Sequence, residues 1–394
     1  CVLRYPHHRG RVGRSTQHPA RSTRRARSER MSRKLTYDSW LFGAAMLIVV
    51  VGMVMIYSAS AIIAAQRFGQ APTYFFTRQG VFLIAGAALM VILMHLDPSL
   101  LRHPRVVYGA MALVVVGLIV ALFQPPINGT HRWIQLPWFQ LQPSEFAKPA
   151  MVLFLASFLT KREERVNEVT TTLLPLGFAL ALIAGLILLG RDFGTAATFV
   201  FVAAGMIFAA GLAWRYVAVF ALALVPAAIY FALSAAYRRQ RVLSFLNPEA
   251  DQQGAGFQAM QSLIALGTGG FEGLGIGNGR QKLFFLPEPH TDFIFSIIGE
   301  ELGFLGAFAL LGAFAFLVWR GFRIVRYSHD RLVFYAALGC TLMIAIQALI
   351  NVSVALCLLP TKGLPLPLVS YGGSSLLASL IAVGLLLNFS QQSG

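Results

Sequence analysis

The chain has 394 residues, 57% of them hydrophobic and 12% charged, with a mean hydropathy of +0.67. That apolar fraction lies above what a soluble domain carries and makes a bilayer the implied solvent. The formal charge of +16 does not point to nucleic acid, because eleven of the 32 basic residues precede Leu35, in a tail with a single acid, Glu29; arginine clustered beside a membrane segment sets topology and touches anionic lipid.

In chain order, residues 1–36 read as a basic, disordered cytoplasmic tail and 37–394 as one transmembrane domain. Residue 1 is Cys, and Met31 opens a chain start of its own, MSRKLTYDSW, so residues 1–30 read as an upstream extension. The fold class expected is an all-α polytopic membrane protein of about ten spans: 39–63, 79–95, 106–123, 147–160, 173–190, 194–212, 216–236, 293–318, 332–357 and 367–389. Arg102 and Arg105, then Lys161, Arg162 and Arg165, then Arg215, then Arg320, Arg323, Arg326 and Arg331 fall in alternate loops. The positive-inside pattern puts those loops and both termini in the cytoplasm. Cys340 and Cys357 share one apolar segment, which supports neither a disulfide framework nor a cysteine metal site.

Two loops break the rule of short connections. The outer loop 124–148, with Trp133 and Trp138, suits the interfacial aromatic belt. Its Asn128-Gly-Thr matches a glycosylation sequon to which we attach no weight. It ends in Glu145 and Lys148, three apart, which share a helix face as either a structural ion pair or a functional one. Ser144 is placed to cap that helix. The joint Arg191-Asp192 is explained by a local salt bridge or a cap.

The second loop, 237–292, exceeds fifty residues, holds nine glycines between Gly254 and Gly279, and carries Arg241, Arg280 and Lys282 on the outer side. Basic residues are scarce there, so an anionic partner is implied. The run GTGGFEGLGIGNGRQK lacks the order of a nucleotide-binding loop and reads as flexible, with Arg280 or Lys282 meeting lipid phosphate. The loop closes on LPEPHTDFIF, where Glu288, His290 and Asp292 precede an apolar helix that Asp292 can cap. Glu300 and Glu301 follow inside that span and demand a partner, a cavity or a raised pKa. Finally, residues 358–375, LLPTKGLPLPLVSYGGSS, predict a re-entrant loop lining a cavity, with Lys362, Ser370 and Tyr371 as polar contacts.

Taken together, QPSEFAK (142–148), DFGTA (192–196), FLNP (245–248), GLGIGNG (273–279), LPEPHTDFIF (286–295) and TKGLPLPLVSYGGSS (361–375) closely resemble the signature blocks of the SEDS family (shape, elongation, division and sporulation). The resemblance covers about residues 37–390, and TKGLPLP sides with the division branch over the elongation branch. Gly190-Arg191 stands where the family more commonly shows Gln-Pro, and Cys357 where a glycine is usual.

The resemblance implies a ten-span inner-membrane peptidoglycan glycosyltransferase at the division septum. Its substrate would be lipid II, and its partners a class B penicillin-binding protein and other divisome proteins. The family's essential aspartate falls on Asp292 and its Glu–Lys pair on Glu145 and Lys148. The chemistry asks for one carboxylate as general base on the acceptor hydroxyl, with cations assisting the departing pyrophosphate. Asp292 is the expected base. Lys148, Arg132, Arg241, Lys282 and Lys362 are the pool for pyrophosphate clamps, with Glu145, Glu288, His290, Ser370 and Tyr371 around them. No cofactor is assigned, and a divalent cation (Mg or Mn) between carboxylates and pyrophosphate is compatible with such a site. Two other readings stay open: a flippase for the same lipid, and a non-catalytic scaffold for the penicillin-binding protein.

Overall fold

The computed structural model describes residues 37–127, 129–222, 226, 239, 243–245, 254–283, 285–361 and 363–392. The tail 1–36, Asn128, Arg241, Lys362 and most of the predicted span 216–236 lie outside these residues. Hydrophobic runs become helices in the expected order. They are α1 (Ser39–Phe68), α2 (Tyr74–His95), the short α3 (Pro98–Arg102), α4 (Pro104–Leu122), α5 (Pro143–Lys161), α6 (Leu174–Leu189), α7 (Phe193–Ala209), α8 (Ala255–Gly269), α9 (Ile294–Tyr327), α10 (Arg331–Ala355) and α11 (Gly373–Ser390). Among the described residues, seven helical segments are long and apolar enough to cross a membrane, and α7 is a shorter apolar helix. The protein is a polytopic helical membrane protein, as its composition predicts. Two-residue strands at Ile134–Gln135 and Gln140–Leu141 pair as the described β-structure of the outer loop.

Burial sorts the helices into a centre and a rim. α5 is buried along almost its whole length and packs against α4, α7, α10 and α11. By contrast, α2 and α9 turn Val81, Ile84, Phe304 and Phe308 outward, as lipid-facing surfaces require. The ends of the bundle are pinned by polar contacts. Asp38 caps α1 by accepting from Leu41 N, while Arg320 of α9 donates to the same carboxylate at 2.6 and 2.9 Å. Asp330 caps α10 and pairs with Arg102 at 2.5 Å.

The 237–292 connection is not structureless. It contains α8, which packs on α9 and α10. Beyond α8 the chain enters a break in α9 at Gly303 (φ 66°, ψ −167°). Backbone groups lose their helical partners at such a break, and in a membrane each must find another. The loop supplies partners for four of them. Leu274 N donates to Glu300 O and Gly275 N to Glu301 O, at 3.0 and 2.9 Å, while Gly270 O and Phe271 O accept from Phe304 N and Leu305 N. Gly269, Gly273 and Gly279 allow close approach to α9: a Cβ on Gly273 would lie 2.3 Å from Glu301 O.

Candidate functional site

Asp292 stands just before α9, whose capping position is taken by Phe293, so the helix begins at Ile294, two residues after the aspartate. Asp292 is half-buried. Asn351 of α10 donates through Nδ2 to its backbone carbonyl at 2.9 Å and to Leu364 O at 2.6 Å, joining the aspartate's segment to the loop 361–372. That loop runs so close that a Cβ on Gly363 would lie 2.9 Å from Asp292 Oδ2.

Residues 363–372 of this loop are irregular backbone within a helical bundle, and side chains from the surrounding helices bond to them. Gln347 Nε2 donates to Pro365 O at 2.9 Å, Gln79 Nε2 to Ser370 O at 3.3 Å, and Gly372 N to Gln79 Oε1 at 3.2 Å. Ser370 is buried, and its hydroxyl accepts from Leu366 N at 2.7 Å, so it shapes its own turn. On the other side, α1 admits the loop at Gly52, where a Cβ would meet Val369 Cα at 2.7 Å. Tyr371 N donates to His290 O at 2.9 Å, which ties this loop to the segment before α9 a second time.

His290 is buried between Phe75 and Tyr371, ring centroids 4.6 and 5.4 Å away. Burial, and then the positive charge of Arg67, push its imidazole down to about 4, so it is neutral at physiological pH. The 3.8 Å approach of its Nε2 to Glu288 is accordingly not an ion pair. Glu288, half-exposed and at a positive φ of 49°, faces Arg67 at 3.8 Å.

Beneath this mouth lie three buried carboxylate clusters. In the first, Lys148 Nζ donates to Glu145 Oε2 at 2.8 Å and to Gln347 Oε1 at 2.5 Å, all buried. Pro149 follows inside α5, and its missing N–H removes the bond that Glu145 O would otherwise accept. In the second, Asp192 accepts from Gln142 Nε2 at 2.7 Å, Ser144 Oγ at 2.8 Å and Thr195 N at 3.3 Å, with Arg132 Nη1 3.7 Å away. Asp192 thus caps α7, as expected. Its charge partner is Arg132, however, and not the adjacent Arg191, which reaches Gly129 O at 3.0 Å from a left-handed backbone (φ 62°). Ser144 does not cap α5. Pro143 already occupies the first helical position behind Gln142, and the hydroxyl is drawn to Asp192.

In the third cluster, Glu301 accepts from Lys282 Nζ at 2.6 Å, from Ser58 Oγ of α1 at 2.6 and 2.8 Å, and from Gly277 N at 3.1 Å. Glu300 accepts from Arg280 N at 2.7 Å and Gln281 N at 3.2 Å. The two glutamates are anchors for the glycine-rich loop. Lys282, expected at an anionic ligand, is buried in this anchor.

Sequence reasoning passed over Gln79, Gln347 and Asn351, which hold the loop and the aspartate in place. The signal was present: Gln347 and Asn351 sit four apart in an apolar 25-residue helix and so share one face. Among the described residues, no three His, Cys, Asp or Glu side chains are grouped so as to hold a metal ion.

Fold and site together define a multi-span membrane protein whose buried polar side chains surround a half-buried aspartate beside an irregular loop. Residues 38–394 match the sequence profile of the FtsW/RodA/SpoVE family, described as cell cycle proteins. The chain belongs to that family. It is 42% identical over 356 residues to the probable peptidoglycan glycosyltransferase FtsW of Trichlorobacter lovleyi, covering 90% of this chain and 93% of the relative. It is 41% identical over 358 residues to the protein of that name from Geobacter metallireducens, covering 90% and 94%. Among solved structures it superimposes with a TM-score of 0.75 and 31% identity on a chain of a peptidoglycan synthase complex that coordinates polymerization and crosslinking, covering 91% of this chain and 98% of that one. The rod shape determining protein RodA of Thermus thermophilus matches with a TM-score of 0.67 and 29% identity, covering 91% and 97%.

Proposed function

We propose that this protein is a peptidoglycan glycosyltransferase that polymerises lipid II, with Asp292 as general base. The observation that carries the assignment is the placement of Asp292: half-buried, tied through its backbone to α10 and beside a loop whose irregular backbone is held by side chains from several helices. A base needs a fixed position within about 3 Å of the proton it removes. In the step proposed, Asp292 takes the proton of the acceptor hydroxyl, whose oxygen forms the new bond to the donor sugar's anomeric carbon. The bond from that carbon to the pyrophosphate breaks, and the diphosphate leaves as an anion stabilised by cations.

Arg132 is the described candidate clamp that keeps partial exposure, since Lys148 and Lys282 are each buried against a glutamate; Arg241 and Lys362 complete the proposed pool. A divalent cation, Mg or Mn, would draw most of its oxygens from the pyrophosphate and water, as magnesium does with phosphate substrates. His290, Glu288 and Tyr371 shape the entrance. The aligned synthase complex supports a crosslinking partner, which we assign as a class B penicillin-binding protein acting with other divisome proteins. The inner membrane, the septum and cytoplasmic termini, with the basic tail inside, complete the proposal.

The test is Asp292→Asn, purified with its partner and supplied with lipid II. A folded variant that binds substrate and makes no glycan polymer is expected. Undiminished polymer would remove Asp292 from the chemistry, and lipid II translocation in liposomes that survives the substitution would favour a flippase.

A further inference from the structure

A cleft far from Asp292 in sequence holds a second concentration of positive charge. It is an open depression of about 740 Å³ lined by Lys161, Arg162, Arg165, Thr170, Thr171 and Pro175. Volumes of that order accommodate a small-molecule headgroup. Three cations and two hydroxyls face the space, and no carboxylate lines it. Of the acids in the same segment, Glu163 meets Arg331 at 3.2 Å and Glu164 is exposed outside the lining, whereas Glu168 borders the cleft, accepting from Thr171 Oγ1 at 2.5 Å with Arg165 3.9 Å away, so a bound anion would compete with it for these two residues.

The local backbone departs from ordinary helix at the same place. Residues Val169–Leu173 form a π-helical turn, a form frequent at functional sites. Within it Thr172 Oγ1 is fully buried without a hydrogen-bond partner. Directly below, Leu174, Phe178 and Leu182 lie four apart on one face of α6 and are 60%, 72% and 46% exposed. A cationic head therefore adjoins a helix with an exposed apolar stripe, a pairing that suits an amphiphile better than a soluble phosphate.

We propose that this cleft binds the phosphate headgroup of an anionic phospholipid, with Lys161, Arg162 and Arg165 as its cations and the Leu174–Phe178–Leu182 stripe against its acyl chains. Arg162 is already oriented by its stacking on Phe158, 4.1 Å from the ring centroid, which lowers the ordering cost of engaging a phosphate.

The experiment uses the full chain in neutral detergent, titrated with phosphatidylglycerol or phosphatidylcholine and read by native mass spectrometry. Wild type should retain one phosphatidylglycerol in preference to phosphatidylcholine. Retention should fall about fivefold for each of Lys161→Gln and Arg165→Gln, and further in the triple variant with Arg162→Gln. Arg323→Gln, outside the cleft, should leave it unchanged. The single variants alter exposed side chains, and a thermal unfolding midpoint equal to wild type checks their fold. Equal retention of the two lipids, unchanged retention in the folded variants, or displacement of the lipid by millimolar inorganic pyrophosphate would each overturn the assignment.

Discussion

Lys282 Nζ lies 2.6 Å from Glu301 Oε1, joining a residue of the outer loop to a carboxylate inside a membrane helix, with both side chains buried. Breaking one partner of a buried pair leaves a charge without compensation and costs about 3–5 kcal/mol. Lys282→Met or Glu301→Leu alone should therefore lower the thermal unfolding midpoint sharply, whereas the double replacement should recover much of the loss. A double variant no better than the worse single one would deny that the two charges answer each other.

Gly363 faces the carboxylate of Asp292 with no room for a methyl group. Gly363→Ala should displace that carboxylate and reduce the rate of lipid II polymerisation by about a hundredfold, the scale of a 1 Å misplacement at a reacting group. Stability should change little. Full activity would mean either that the loop yields or that Asp292 is not the base.

Burial holds the His290 imidazole down to about 4 in the fold, and it returns to 6.5 on unfolding. As pH falls from 6.5 to 4, the unfolded chain gains a proton that the folded chain refuses, so stability declines across that window and levels off below it. The total contribution of this one group is about 3 kcal/mol. Unfolding midpoints measured in detergent should show the decline, and His290→Gln should remove this part of it. An identical pH profile in wild type and variant would show that the ring is not protected.

Cys357 occupies a left-handed backbone position (φ 55°) where the SEDS resemblance leads one to expect glycine, and its thiol donates to Ala259 O at 3.1 Å. Glycine there relieves backbone strain but frees the unfolded chain, so Cys357→Gly should stay within about 1 kcal/mol of wild type. Cys357→Val adds a β-branched side chain in the same conformation and should cost about 2 kcal/mol. Equal midpoints for the two variants would show that the backbone relaxes.

The spans were legible because twenty-residue apolar runs have few alternatives, whereas Asp292 became a candidate through the motif it shares with the SEDS blocks, since a polar cluster before such a run is equally explained by a helix cap. What lay hidden were pairings across the chain. Lys282 read as a cation for lipid phosphate or pyrophosphate since nothing local announces that Ser58 and Glu301 will enclose it. Arg191 looked like the partner of Asp192 because it is adjacent, yet its left-handed backbone sends it to Gly129 while Arg132 approaches from the outer loop. The break in α9 rests on one glycine in an apolar stretch, and only the loop that fills it reveals why it is there.

That break also leaves α9 one strut. Glu300 and Glu301 before Gly303 hold the glycine-rich loop, and Phe304 and Leu305 after it bond to the same loop. Further along, Arg320 is fixed to Asp38. The loop thus splices the two parts of α9, so the turns that follow Asp292 and the lipid-facing column keep a common alignment.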